Sequence, residues 1–314
     1  MQIVFALVAL VVGFVLLVKG ADWFVEGSAG IANKFGIPQI VIGLTIVAMG
    51  TSMPEAAVSI SAALRGSAEI TIGNVVGSNI MNILVILGLT AVVCQIAVQK
   101  TTIHYEIPMV IGVTILLAVM GLQNNIISRA EGVILLACMV VYMLYLLRLA
   151  KRGVVENEEM DAYANQVSFG RLILLVVVGV AAIIFGSHVA VEAASAIARI
   201  FGISERFIGL TIVALGTSLP ELVTSVTAAK RGNAGIAIGN IVGSNIFNIL
   251  FVIGTAALIC PVPFETKFIV DTGIAILAGL VLWIGTYKNR ELRKTCGVVM
   301  LLCYAGYFAY LCVV

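Results

Sequence analysis

Hydrophobic residues run through this chain in long unbroken blocks, separated by short polar connections. A membrane-crossing helix needs about 20 predominantly apolar residues, and by that measure the pattern predicts ten spans. The first five lie near 2–20, with an amphipathic continuation to about 33, and near 38–64, 70–97, 104–122 and 130–149. The second five lie near 168–186, continuing to about 200, and near 205–229, 235–260, 266–286 and 295–313. The one long polar connection, Lys151 to Gln166, carries Glu156, Glu158, Glu159 and Asp161 and reads as a solvated hinge. The expected fold is an all-α membrane protein.

The pattern repeats once. Gly50-Thr51-Ser52-Met53-Pro54-Glu55 returns as Gly216-Thr217-Ser218-Leu219-Pro220-Glu221, and Gly73-Asn74-Val75-Val76-Gly77-Ser78-Asn79-Ile80-Met81-Asn82 returns as Gly239 to Asn248. The spacing is 166 residues throughout, and between Phe35 and Gly88 it leaves 34 of 54 positions identical. Gly20, Val25 and Glu26 match Gly186, Val191 and Glu192 at the same spacing. The unit duplicated is a set of five spans: residues 1–150, then a linker at 151–167, then residues 168–314. Because five is odd, each span and its copy cross the bilayer in opposite directions, so the halves are expected to be inverted. Inverted repeats are common in secondary transporters, whose sites lie near the midplane between the repeats.

Charge then orients the spans. Five Lys and Arg fall on the side holding both termini: Arg65, Arg129, Arg199, Arg206 and Lys267. The other thirteen fall on the opposite side. Cytoplasmic loops carry the excess of basic residues, which predicts both termini outside and the acidic linker in the cytoplasm. Met1 to Val18 has no basic segment ahead of it and reads as an uncleaved first span.

Composition agrees with this picture. The 314 residues are 61% hydrophobic and 11% charged, with mean hydropathy +1.15, against about 25% charged in an ordinary soluble domain. No basic stripe suggests nucleic acid. Cys94, Cys138, Cys260, Cys296, Cys303 and Cys312 have no paired spacing and read as small buried apolar residues. No serine elbow, paired-aspartate motif or zinc-protease motif is present, so an enzyme is not expected.

The chemistry lies in the repeated stretch. A glutamate in an apolar span costs about 2.5–3.5 kcal/mol or more at the bilayer centre, and this chain places one in each half with no Lys or Arg in either motif. Pro54 cannot donate to the carbonyl of Gly50, nor Pro220 to that of Gly216, and their rings loosen the carbonyls around them, those of Ala48, Thr51, Ala214 and Thr217 included. Thr51 and Ser52 share the side of the helix that carries Glu55. Asn74, Ser78 and Asn82 form one polar stripe at four-residue spacing, beside a Gly73–Gly77 pair that admits a close helix. Asn240, Ser244 and Asn248, with Gly239 and Gly243, repeat it. The resulting groups are all oxygen donors, suited to hard cations, and no His or Cys favours zinc or copper. Two facing carboxylates would be neutralised by one divalent ion, by two or more monovalent ions, or by protons. Asn79 and Asn245 read as helix-packing residues, and Asp22, Glu26, His188 and Glu192 as interfacial or water-facing.

With these motifs the sequence resembles the Ca²⁺/cation antiporter superfamily, and within it the prokaryotic Na⁺/Ca²⁺ exchanger branch. The resemblance implies Na⁺/Ca²⁺ antiport by alternating access, with Ca²⁺ and Na⁺ as transported substrates and no cofactor. It implies that Glu55 and Glu221 are the central ligands and that Thr51 and Thr217 offer backbone carbonyls to Ca²⁺. Ser52, Ser78, Ser218 and Ser244, with the carbonyls of Ala48 and Ala214, would serve flanking Na⁺ sites, and Asn82 and Asn248 would line the centre. Alternating access in the family slides the first and sixth helices across a fixed core. K⁺-dependent members and some archaeal exchangers carry Asp at the position of Asn248, which favours K⁺-independent exchange here; H⁺/Ca²⁺ or K⁺-dependent Na⁺/Ca²⁺ antiport, and after them a cation channel, are the alternatives. The linker is too short for the Ca²⁺-sensing domain of animal exchangers. The protein is expected in the cell membrane as a monomer or loose oligomer, with the lipid bilayer as its other partner.

Overall fold

The computed structural model describes residues 2–152, 167–202 and 214–313. The acidic stretch of the linker and the first part of the span expected at 205–229, Arg206 included, lie outside the described residues. Helices dominate: α1 (Gln2–Lys34), α2 (Gln39–Thr51), α3 (Met53–Leu64), α4 (Glu69–Val93), α5 (Thr102–Asn124) and α6 (Arg129–Arg152) in the first half. The second half holds α7 (Phe169–Ile200), α8 (Ala214–Thr217), α9 (Leu219–Lys230), α10 (Ala234–Ile259), α11 (Lys267–Tyr287) and α12 (Lys294–Val313).

Ten spans were expected. Among the described residues, eight helices are long and apolar enough to cross a membrane, and the bent pair α2–α3 would make a ninth. The bend of 50° falls at Ser52, whose ψ of 9° leaves the helical region, and Pro54 opens the next helix. A proline is tolerated in a first turn because its missing N–H would find no partner there. The sequence Ser52-Met53-Pro54 therefore ends one helix and starts another inside a single expected span.

Two apolar clusters organise the helices. The larger one surrounds α4 and α10 with α5, α6, α11 and α12; α10 is the innermost helix, with 94% of its most apolar stretch buried. The smaller one joins α1 and α7 to α2 and α9. The amphipathic continuations seen in the sequence complete α1 and α7, which at about 1.5 Å per residue exceed the ~30 Å apolar thickness of a bilayer. They pack against each other over much of their length, through glycine. A Cβ on Gly13 would come within 2.7 Å of the backbone of Ala190, and one on Gly186 within 2.8 Å of the carbonyl of Gly13.

Four two-residue strands tie the halves together: β1 (Ile96–Ala97), β2 (Ile126–Ile127), β3 (Val262–Pro263) and β4 (Glu291–Leu292). β1 pairs antiparallel with β4, and β2 with β3. Each ribbon joins a loop of one half to a loop of the other.

Of the cysteines, Cys94, Cys138, Cys260 and Cys296 are half-buried and Cys303 is exposed, all as free thiols. The expectation that they are buried is met only in part: Cys138, Cys260 and Cys296 pack against the edge of the larger apolar cluster, and Cys303 is exposed.

Candidate ion-binding site

The break at Ser52 and its counterpart at Ser218 bring the repeated stretches into one buried polar centre. Glu55 and Glu221 open α3 and α9, and both are fully buried, with at most 1% exposure. Thr51, Ser52, Ser78, Asn82, Ser218, Ser244 and Asn248 are buried as well, and Thr217 is half-buried. Ser52 donates to Glu221 Oε1 at 2.8 Å, across the two halves. Ser218 stands beside Glu55, and the two carboxyl groups are electrostatic neighbours.

Asparagines fix the frame around them. Asn74 Nδ2 donates to the carbonyl of Glu55 (3.2 Å) and to Ser59 Oγ (2.8 Å); Asn240 Nδ2 donates to the carbonyl of Glu221 (3.3 Å) and to Ser225 Oγ (2.9 Å). Thr51 Oγ1 adds a bond to Asn240 Oδ1 at 2.9 Å. Each carboxylate-bearing helix is thus anchored to the helix that follows it. Asn74 and Asn240, read from sequence as members of the oxygen-donor stripe, hold backbone and hydroxyl groups by their amide nitrogens instead; Ser59 and Ser225 were assigned no role from sequence, and the signal available was their identity at the 166-residue spacing.

Where α4 and α10 meet, the contacts are reciprocal. Asn79 Nδ2 donates to the carbonyl of Asn245 (3.1 Å) and Asn245 Nδ2 to that of Asn79 (3.2 Å). Asn82 Nδ2 donates to Asn245 Oδ1 (3.0 Å) and Asn248 Nδ2 to Asn79 Oδ1 (3.1 Å). Asn79 and Asn245 therefore do pack the helices, as expected, and they also hold Asn82 and Asn248 by their amide nitrogens. Asn82 and Asn248 each begin a π turn, Asn82–Leu87 and Asn248–Ile253, a widened turn that recurs at functional sites.

Five buried acceptor oxygens of this centre have no donor among the described residues: both of Glu55, Oε2 of Glu221, and Oδ1 of Asn82 and of Asn248. Buried acceptors are almost always satisfied, and each exception needs a reason. No Lys, Arg or His forms an ion pair with either glutamate among the described residues. A cation that prefers oxygen is the chemistry this set lacks.

The proline-loosened carbonyls are in part taken up by protein. Ser187 of α7 donates to the Gly216 carbonyl at 2.6 Å. The carbonyl of Ala48 keeps its helical bond from the Ser52 N–H (3.1 Å) and receives Ser244 Oγ at 3.4 Å, so it is not released to the extent that Pro54 suggested. Ala214 opens α8. In the GxxxG pairs, Gly239 and Gly243 allow α2 to approach α10, where added Cβ atoms would lie 2.9 Å from the Ile40 carbonyl and 2.7 Å from Ala48 Cβ. Gly73 and Gly77 have no such neighbour among the described residues. Asp22 and Glu26 pair with Arg231 at 2.9 and 3.6 Å, and His188 and Glu192 are exposed, all four in line with a water-facing or interfacial role.

The sequence profile of the sodium/calcium exchanger protein family matches residues 5–148 and 171–313. The chain belongs to that family. It is 37% identical over 310 residues to the putative antiporter CaxA of Alkalimonas amylolytica, covering 96% of this chain and 97% of CaxA. It is 32% identical over 344 residues to the sodium/calcium exchanger MaX1 of Methanosarcina acetivorans, with coverage of 96% and 97%. The fold is similar to that of the sodium-calcium exchanger NCX_Mj soaked with 2.5 mM Na⁺ and 10 mM Sr²⁺: TM-score 0.85, 32% identity, 98% of this chain and 99% of that one. The Ca²⁺/cation antiporter assignment, in its prokaryotic branch, is thereby established, and with it a multi-pass membrane protein of a transporter family.

Proposed function

We propose that this exchanger moves Na⁺ against Ca²⁺ by alternating access, with the ions bound in a cage centred on Glu55 and Glu221. The five donorless acceptor oxygens around these two carboxylates carry the reading. Two buried negative charges are balanced by one Ca²⁺ or by two or more Na⁺. A site that must be filled by one cation type or the other makes exchange obligatory, because the empty, doubly charged centre is costly to move through an apolar barrier. In this cage Thr51 and Thr217 offer carbonyls to Ca²⁺, and Asn82 and Asn248 line the centre through their free Oδ1 atoms. Ser52, Ser78, Ser218 and Ser244, with the carbonyls of Ala48 and Ala214, serve flanking Na⁺.

The architecture we infer is ten spans in two inverted five-helix repeats, 1–150 and 168–314, joined by a cytoplasmic linker at 151–167. The reciprocal Asn79–Asn245 bonds support a two-fold relation between the halves. The ribbons support its inversion: β1 and its copy β3 fall in different ribbons, as they must if equivalent loops lie on opposite faces. In this arrangement the protein sits in the cell membrane with both termini outside, and α1 and α7, which share their own apolar cluster, slide as a pair over the rest.

Purified protein in liposomes tests this directly. An outward Na⁺ gradient should drive radiolabelled Ca²⁺ uptake, and Glu55→Gln or Glu221→Gln should reduce it at least about 100-fold, the loss of a ligand worth roughly 3 kcal/mol. Uptake surviving either substitution would sink the cage. A pH gradient that replaces Na⁺ with full activity assigns H⁺ as the coupling ion, and a K⁺ requirement would contradict the expectation drawn from Asn248.

A further inference from the structure

A third acidic group is sealed inside a span, away from the cage. Glu106 ends the π turn Thr102–Glu106 that opens α5, and it is fully buried. Its Oε1 accepts a hydrogen bond from the hydroxyl of Tyr145 on α6. Its Oε2 has no partner. Thr102 and Tyr142 lie beside this carboxyl group, and their buried hydroxyls are without partners too. The backbone here is otherwise satisfied: Pro108 has no N–H for the carbonyl of Ile103, and Trp283 Nε1 of α11 donates to it at 2.9 Å.

The second half carries a counterpart. Past the central helices the spacing between halves changes from 166 to 165: β2 and β4 stand 165 apart, and so do Gly132 and Gly297, which approach the equivalent carbonyls of Gly254 and Gly88. At that spacing Glu106 corresponds to Asp271 and Tyr142 to Tyr307, and Tyr307 donates to Asp271 at 2.9 Å. The copies differ in one respect. Thr102 corresponds to Lys267, so Asp271, which is half-buried, has a cation one turn before it, and Glu106 has none. Around Glu106, α6 contributes Tyr142, Tyr145 and, a turn further, exposed Arg148; α11 contributes Trp283 and Tyr287, the latter near the ring of His104 (6.0 Å). Its own helix adds His104 and Tyr105, both exposed. None of these cations pairs with it.

We propose that Glu106 is a proton-binding site separate from the ion cage, the proton held between Glu106 Oε2 and the hydroxyls of Thr102 and Tyr142. Ionised, the carboxylate accepts from Tyr145 at Oε1, and the hydroxyls of Thr102 and Tyr142 are the neighbouring groups available to Oε2. On taking up one proton it becomes a donor, and one hydroxyl turns to accept, since a hydroxyl serves in either role. Uptake removes an unpaired charge from an apolar span. Tyr145, half-buried, connects the carboxyl group to the outer surface of α6.

Infrared difference spectra between acid and alkaline pH test the site independently of any transport activity. They are recorded on the Glu55→Gln/Glu221→Gln protein, so that the cage carboxyls do not contribute. A protonated-carboxyl band should appear on acidification, be lost when E106Q is added, and appear at a different pH in Tyr142→Phe. Should E106Q not fold, Tyr142→Phe and Thr102→Val decide by the same shift. A band unaffected by these substitutions overturns the proposal. So does a band that Na⁺ or K⁺ abolishes at constant pH, which would make the occupant an alkali ion.

Discussion

Glu55 and Glu221 sit in nearly the same sequence, yet their surroundings differ. Glu221 accepts a bond from Ser52, while both oxygens of Glu55 and the hydroxyl of Ser218 lack partners. The Gly216 carbonyl is met by Ser187, whereas the position equivalent to Ser187 is Ala21, which has no hydroxyl to offer Gly50. Arg231 pairs with Asp22 and Glu26 of α1; its copy Arg65 forms no ion pair among the described residues, and the matching Glu192 is exposed. α1 packs along α9, but α7 makes no comparable contact with α3. Instead a cavity of about 1290 Å³ opens at that end, lined by Phe5, Val8, His188, Glu192, Ala196 and Ile200 among others. The near-identical motifs thus meet different neighbours, in part because α1 and α7 differ in sequence at the matching positions, Ala21 against Ser187 and Asp22 against His188.

Three pairs of substitutions break or sharpen this comparison. Asn240 is fully buried with bonds to Thr51, Glu221 and Ser225, and Asn74 is part-buried with two. Orphaning buried polar groups costs about 1–3 kcal/mol each, so Asn240→Ala should lower stability by roughly 3 kcal/mol and Asn74→Ala by less, read from reversible unfolding in micelles. Equal losses would mean the halves are anchored alike. Gly243→Ala should come next, at about 2 kcal/mol from overpacking, because its Cβ would meet Leu44 backbone at 2.8 Å. Gly77→Ala, whose added Cβ meets no atom of the described residues within 4 Å, should cost less in the same measurement. The smallest stability effect, under about 1 kcal/mol, is expected for Arg231→Ala, since its ion pairs are about a third exposed. Its larger consequence should be access: thiol reagents should label a cysteine at Asp22 faster once Arg231 is removed, and a cysteine at Glu192 should label at the same rate with or without Arg65. An unchanged rate at position 22 would show that the ion pair holds nothing closed.

Much of this was legible along the chain. Apolar runs marked the spans, and Pro54 and Pro220 foretold disrupted helices around two costly glutamates, although the break at Ser52 is a bend between two helices rather than a loosened turn within one. GxxxG spacing foretold close packing at Gly239 and Gly243, where α2 approaches α10; the segment that would pack equivalently on Gly73 and Gly77 lies outside the described residues. The register change that aligns Glu106 with Asp271 was hidden, since identity between the halves fades outside the central helices.

The sequence by itself determined that this chain crosses a membrane many times, that it is a duplication, and that each copy holds a carboxylate beside a proline, an amide stripe and hydroxyls. These properties depend on order and spacing within a few turns of helix. Only the tertiary structure decided which amide holds which carbonyl, that Asn82 and Asn248 keep their oxygens free, and that Ser52 reaches Glu221 while Ser218 leaves Glu55 bare. Contacts of this site join residues up to 196 positions apart, far beyond what spacing within a few turns of helix can specify.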